Sequence, residues 1–177
     1  MRVNARNAVL AVVLSVLAGC AGEQQAERSD DAMDQAPMAQ MAMPDTTAAA
    51  VWAYLEEANY RRWAMWPGKS ALYTGGEPHG MLLTTYLNPT ALTALEGSAT
   101  ALPAGAIIVK ENYMPDSTLA AVTVMYKTET FNPEHNNWFF IKRLADGTVQ
   151  VGGRGEGCQN CHGARRDNDY IMTSNLN

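Results

Sequence analysis

The sequence predicts an α+β fold, a mainly antiparallel β-sheet with flanking helices in a single domain, and three observations lead there. Residues 81–87, 106–114, 119–127, 137–144 and 148–152 are short runs rich in branched and aromatic side chains, each bounded by Pro, Gly, Asp or Asn. The last four follow one another with no helical crossover between them, which is the pattern of antiparallel neighbours. Asp146-Gly147 between the last two is a tight hairpin signal.

Residues 1–19 stand outside the fold. Arg2 and Arg6 form a basic start, residues 8–14 open an apolar run too short to span a bilayer, and Leu17-Ala18-Gly19-Cys20 closes it. The last four residues look like a bacterial lipobox, in which a signal peptidase cuts before the cysteine and its thiol becomes a thioether to diacylglycerol. Cys20 is then the lipid anchor that holds the chain to a bilayer. The expected location is facing the periplasm, on the cell membrane or the outer membrane.

Residues 20–46 read as the lipidated cysteine and a flexible tether, because Gln, Ala, Asp, Glu and Met dominate and Pro37 and Pro44 interrupt any helix. Four methionines there (Met33, Met38, Met41, Met43) are the spacing of a spacer rather than of a copper site. The whole chain carries 13 basic and 18 acidic residues; losing residues 1–19 removes two arginines and leaves 11 against 18, or −7. That balance excludes nucleic acid as a partner.

The domain occupies residues 47–177. Thr46 or Thr47 caps a helix expected over residues 48–63, ended by Pro67-Gly68. The run from Gly75 to Gly80 reads as a loop. Asn88-Pro89 starts a short helix through Leu95, and Gly97 ends it. A last short helix is expected over residues 158–166, with Tyr170, Ile171 and Met172 in the tail packing back.

That last helix opens with the chemistry. Cys158-Gln159-Asn160-Cys161-His162 is a C-x-x-C-H signature. Two cysteines three apart on a helical turn offer both thiols to the two vinyl groups of one porphyrin, and the next residue aims its imidazole at the iron. The motif predicts one covalent haem c, held by Cys158, Cys161 and His162, with His162 as the iron ligand. A dithiol redox motif would sit in a βαβ unit, which the chain does not offer. A structural zinc needs four ligands, and only His79 and His135 remain to help.

Five blocks in order carry a wider likeness: His79-Gly80-Met81-Leu82-Leu83-Thr84-Thr85-Tyr86-Leu87-Asn88; Ile107-Ile108-Val109-Lys110-Glu111-Asn112-Tyr113; Val124-Met125-Tyr126-Lys127; Asn132-Pro133-Glu134-His135-Asn136-Asn137-Trp138-Phe139-Phe140; and Gly157 to Gly163 around the cysteines. Together they resemble the cytochrome P-460 family, which includes the cytochromes c′-beta. The resemblance implies an antiparallel β domain, often a homodimer. It implies one haem with an open distal position, and an oxidoreductase or binder acting on hydroxylamine or nitric oxide, with a periplasmic electron acceptor for any turnover. It also implies that Lys110 matches a lysine bonded to the porphyrin edge in the hydroxylamine-oxidising members.

Two departures weigh against catalysis. Leu83 stands near the place of a distal arginine, and none of Glu111, Asp116, Glu129 and Glu134 is assignable as a distal carboxylate. The rival readings are a non-catalytic nitric oxide trap or sensor, and a six-coordinate electron carrier using Met81, Met114 or Met125. His79 and His135 are expected in turns. Trp138, Phe139 and Phe140 are expected in the core, with a cap over the haem as their other use.

Overall fold

The computed structural model describes residues 41–176. Signal peptide, lipobox and most of the expected tether lie outside the described residues. Among the described residues no helix is long and apolar enough to cross a membrane.

Helix α1 (Ala48–Glu57) starts where its cap demands: Thr47 is extended, and its hydroxyl accepts from the Ala50 amide at 3.1 Å. Val51 and Leu55, one turn apart, bury completely. The helix stops six residues before the expected end because Asn59 turns left-handed (φ 46°) and a 3₁₀ turn over Tyr60–Arg62 follows. The change of direction drives the Tyr60 ring inward, to 3 % exposure.

The sheet is antiparallel throughout, as the sequence predicts. Its strands are β1 (Ala64–Met65), β2 (Tyr73–Gly76), β3 (Gly80–Leu87), β4 (Ile107–Tyr113), β5 (Leu119–Lys127), β6 (Trp138–Leu144) and β7 (Val149–Gly153). They run in the order β1-β3-β4-β5-β6-β7, and β2 shares with β1 the outer edge of β3. The Gly75 to Gly80 segment, expected as loop, is instead the end of β2 and the turn into β3. Gly75 is required there: a Cβ would collide with the Gly80 carbonyl oxygen and the Leu83 side chain.

Between β3 and β4 lies α2 (Pro89–Glu96), with Pro89 in its first turn. Asn88 caps it by accepting from the Ala91 amide at 3.0 Å. The same oxygen accepts from Ile107 at 2.9 Å, and the amide nitrogen donates to the Gly105 carbonyl at 2.8 Å. One buried side chain therefore fixes both the helix start and the entry to β4.

Residues paired across antiparallel strands share a face. Three adjacent rows result: Ile108, Met125 and Phe140; Lys110, Thr123, Lys142 and Val151; Asn112, Ala121 and Leu144. At one end this face closes over a core of Trp66, Leu87, Ile108, Trp138, Phe140, Tyr170 and Ile171, capped by Ala91 of α2. At the other end it stays open beneath α3 (Glu156–His162), and there the cavity lies.

Candidate haem site

Helix α3 leaves β7 through Gly155, where a Cβ would meet Val151 at 2.5 Å, so only glycine allows the helix to start this close to the sheet. Its roughly two turns present Cys158, half-buried, Cys161, exposed, and His162, buried. All three line one cavity of about 440 Å³, within the ~300–1,000 Å³ range of cofactor and ligand pockets. The two cysteines are free thiols. Burial raises the Cys158 thiol above its ordinary value.

His162 is oriented from behind. Its Nδ1 lies 2.8 Å from the Tyr170 carbonyl oxygen, which can only accept. Nδ1 therefore carries the proton and donates it, and Nε2 keeps its lone pair for the cavity. Burial lowers the affinity of this ring for a second proton, against a smaller opposing effect of the Tyr170 hydrogen bond. A ligating imidazole needs this tautomer.

The Tyr170 carbonyl is itself held in an unusual pose. Asp169 and Tyr170 both have positive φ, 49° and 66°, a conformation that aspartate visits more readily than most residues and that tyrosine adopts only under constraint. The constraint is a buried network. The Asp169 carboxylate accepts from Lys127 Nζ at 2.5 Å, Asn136 Nδ2 at 3.0 Å and the Leu102 amide at 2.8 Å. Its carbonyl accepts from Trp138 Nε1 at 2.9 Å, and the Tyr170 hydroxyl is bonded to His135 at 3.0 Å. His135, expected as a turn residue, thus serves the pose of the residue that orients His162. Asp169→Ala leaves the Lys127 ammonium buried and unpaired. We expect a loss of about 3–5 kcal/mol in stability, read by thermal melting of the purified protein, while Asp169→Asn loses less because its amide oxygen still accepts from Lys127 and Asn136 and only the Leu102 amide loses its acceptor.

The opposite wall is the sheet. Lys110, Thr123, Met125, Phe140 and Lys142 line it, and the Phe140 ring lies 5.7 Å from that of His162. Lys110 has no carboxylate partner among the described residues, and burial pushes its amine down to about 8. Glu156 at the start of α3 is the only acid on the wall, against two lysines. The wall therefore favours an anionic, largely apolar guest although the domain as a whole is acidic.

His79 is a turn residue as expected, and its side chain also lines this cavity. It sits in the β2–β3 turn, and burial pushes it down to about 4, with the Lys110 and His162 charges acting in the same direction. Its ring centre is 6.1 Å from that of His162. No periodicity signals such a contact, because residues 79 and 162 meet only through the fold.

Other expected residues divide cleanly. Met125 is in the wall, whereas Met81 and Met114 are each 51 % exposed and away from it. Leu83 is buried without lining the cavity. Of the four acids weighed as distal groups, Asp116, Glu129 and Glu134 are exposed. Glu111 is 1 % exposed but on the other face of β4, where it accepts from Tyr60 (2.8 Å), Arg61 (2.6 Å), Tyr86 (3.4 Å) and Tyr113 (2.5 Å). Tyr86 and Tyr113, both partly buried, anchor this carboxylate. Trp138 and Phe139 are core; Phe140 is core and wall together.

A model of the cytochrome P460 family matches residues 57–173, from the end of α1 through the last turn of the tail. The chain belongs to the cytochrome P460 family. No curated protein matches it. Membership makes this a haem-binding, iron-containing cytochrome, and the residues present fit that group. Two thiols and an imidazole lone pair face one cavity, and among the described residues no cluster of three or more His, Cys, Asp or Glu side chains gathers around a point. The donors are spread as an extended group needs, not as a bare ion needs.

Proposed function

We propose that this cytochrome P460 domain carries one haem c, bonded through Cys158 and Cys161 and ligated by His162. With the haem bound, the cavity would admit hydroxylamine or nitric oxide as its ligand. The observation that carries the reading is the common cavity: both thiols and His162 Nε2 on the helix side, Lys110 and Phe140 on the sheet side. The bound group supplies the redox chemistry and the site for a nitrogen ligand.

The chain's own residues do the rest. The carbonyl of Tyr170 holds the proton on His162 Nδ1, so Nε2 is committed to the metal. Lys142 and Lys110 offset the carboxylates that a haem brings into a buried site. Phe140, Ile108 and Met125 exclude water from the sheet side and limit guests to a few atoms. Oxidation of hydroxylamine to nitric oxide releases three electrons and three protons, so turnover requires a periplasmic electron acceptor. With no acceptor engaged, the same site acts as a nitric oxide trap.

Met125 favours a second reading, a six-coordinate electron carrier with its thioether on the iron, because it alone of the three methionines weighed lines the cavity. The spectrum decides. The open site gives a high-spin ferric protein that shifts on adding hydroxylamine, and a Met-ligated iron gives a low-spin protein that does not.

The same proposal places the domain on a membrane through lipidated Cys20, facing the periplasm on residues 20–46 as tether; the support is the Leu17-Ala18-Gly19-Cys20 motif. Cys20→Ser is expected to leave the precursor unprocessed and to prevent incorporation of labelled fatty acid. A Cys20→Ser protein that is cleaved normally and found soluble contradicts the anchor.

A further inference from the structure

His162 keeps a lone pair on Nε2 only while the peptide behind it stays in one pose. That peptide joins Tyr170 to Ile171. Its carbonyl oxygen accepts from His162 Nδ1 at 2.8 Å, and its N–H donates to the Asn168 carbonyl oxygen at 2.9 Å. The two bonds run head to tail through one amide, so each polarises the other and strengthens the Tyr170 oxygen as an acceptor. Turned over, the same peptide would present its N–H to Nδ1. The ring proton would then move to Nε2, the nitrogen that a metal needs.

Two consecutive non-glycine residues with positive φ, Asp169 at 49° and Tyr170 at 66°, hold this pose only with help from outside. Asn168 supplies much of it. The residue is 7 % exposed; its Nδ2 donates to the Ile171 carbonyl oxygen at 2.7 Å and to that of Ser174 at 2.8 Å, and its Oδ1 accepts from the Leu176 amide at 2.7 Å. Carbonyls only accept and a backbone N–H only donates, so the side-chain amide has one orientation that fits all three partners. Asn168 thus grips Ile171 twice, by the N–H and by the carbonyl, on one side of the peptide that serves His162. Trp138 pins the other side, where its Nε1 donates to the Asp169 carbonyl oxygen at 2.9 Å.

Resting on the haem reading above, we infer that Asn168 and Trp138 are positioning residues that set the strength of His162 as an iron ligand, and with it the iron's preference for the ferric state. A firm hydrogen bond from Nδ1 makes the imidazole more basic, and a more basic ligand favours the higher charge on the metal. The lever is the rigidity of one backbone carbonyl.

The test uses the intact holoprotein, with the iron–histidine stretching band read by resonance Raman in the ferrous state and the midpoint potential read by spectroelectrochemistry. Asn168→Ala and Trp138→Phe each lower the frequency of that band. Each weakens the imidazole's ferric over ferrous preference about tenfold, which raises the potential by about 59 mV for one electron. Arg165→Ala is the control. The Arg165 guanidinium bonds Asn175 of the same tail at 2.6 Å, so the variant loosens the segment without freeing the peptide, and both readings stay at their wild-type values. Wild-type readings in Asn168→Ala and Trp138→Phe, or an equal shift in Arg165→Ala, overturn the inference. Where thermal melting shows that Asn168→Ala has not folded, Trp138→Phe decides by the same criteria. Haem content is measured on the same samples as the pyridine haemochrome. A haem-free wild type overturns the haem reading, and is thereby distinguished from a loaded protein whose band and potential ignore Asn168 and Trp138.

Discussion

Cys158→Ala and Cys161→Ala are each expected to lose most of the holoprotein when expressed with a cytochrome c assembly system, and the double variant all of it. In the proposed attachment, thioethers from Cys158 and Cys161 of α3 would hold the porphyrin against the sheet, and a single remaining bond would leave it held mainly by His162 and by burial. His162→Ala should behave differently. Both thiols remain, so haem stays attached in part, but the iron loses its ligand from the helix side and the spectrum changes. Haem staining of denaturing gels with matched protein staining reads both outcomes. Full attachment in either single cysteine variant contradicts the assignment.

The second large effect concerns Lys110. Burial brings its amine down to about 8 from an ordinary 10.5. A buried amine with an available lone pair can bond to the porphyrin edge, and the resemblance of residues 107–113 to the hydroxylamine-oxidising members points to that bond. An N–H and a ring C–H are replaced by one N–C bond, and the two protons and two electrons released go to an oxidant of the peroxide class. Lys110→Ala is then expected to give an ordinary c-type spectrum and to lower hydroxylamine oxidation by roughly 10–100-fold, with nitric oxide binding retained. The pH dependence has a definite sign. Only the free amine forms the bond, so the yield on adding peroxide to unbonded holoprotein rises between about pH 7 and 9, well below the range of an exposed lysine. A yield independent of pH across that interval, or a proteolytic haem peptide lacking residues around Lys110, removes the enzyme reading and leaves the nitric oxide trap.

What the sequence could say about this molecule follows from how local each feature is. The order of strands, the Thr47 and Asn88 caps and the Asp146-Gly147 turn are legible because each is set by residues within a few positions of one another. In the structure the Thr148 amide donates to Asp146 Oδ1 at 2.8 Å, a bond made inside the turn itself. The C-x-x-C-H motif is legible for the same reason. The β2 strand was not, since its two glycines read as loop, and what requires Gly75 is contact with β3 rather than flexibility.

The same distinction explains the site. Lys110 could be singled out because a lysine inside an apolar strand is locally anomalous, and the structure puts it in the cavity wall. His79 could not, because its neighbours Asn112, Thr123 and His162 lie 33, 44 and 83 positions away along the chain. The Asp169–Tyr170 pose that orients His162 is equally hidden: its donors come from residues 102, 127, 136 and 138. The sequence signal that was available is the pair Lys127 and Asp169 beside apolar runs, since a buried charge requires a partner. Glu111, left unassigned among the four acids, could have been removed from the cavity by sequence alone: it follows Lys110, and strand alternation places consecutive side chains on opposite faces.

The measurement that bears most directly on the central claim is the intact mass of the purified mature domain before and after extraction with acid and acetone. Covalent attachment predicts the mass of the chain plus one haem in both samples, with a proteolytic peptide spanning Cys158 to His162 carrying the whole addition. A protein whose haem leaves into the solvent, or whose mass is that of the bare chain with both thiols titratable, contradicts it.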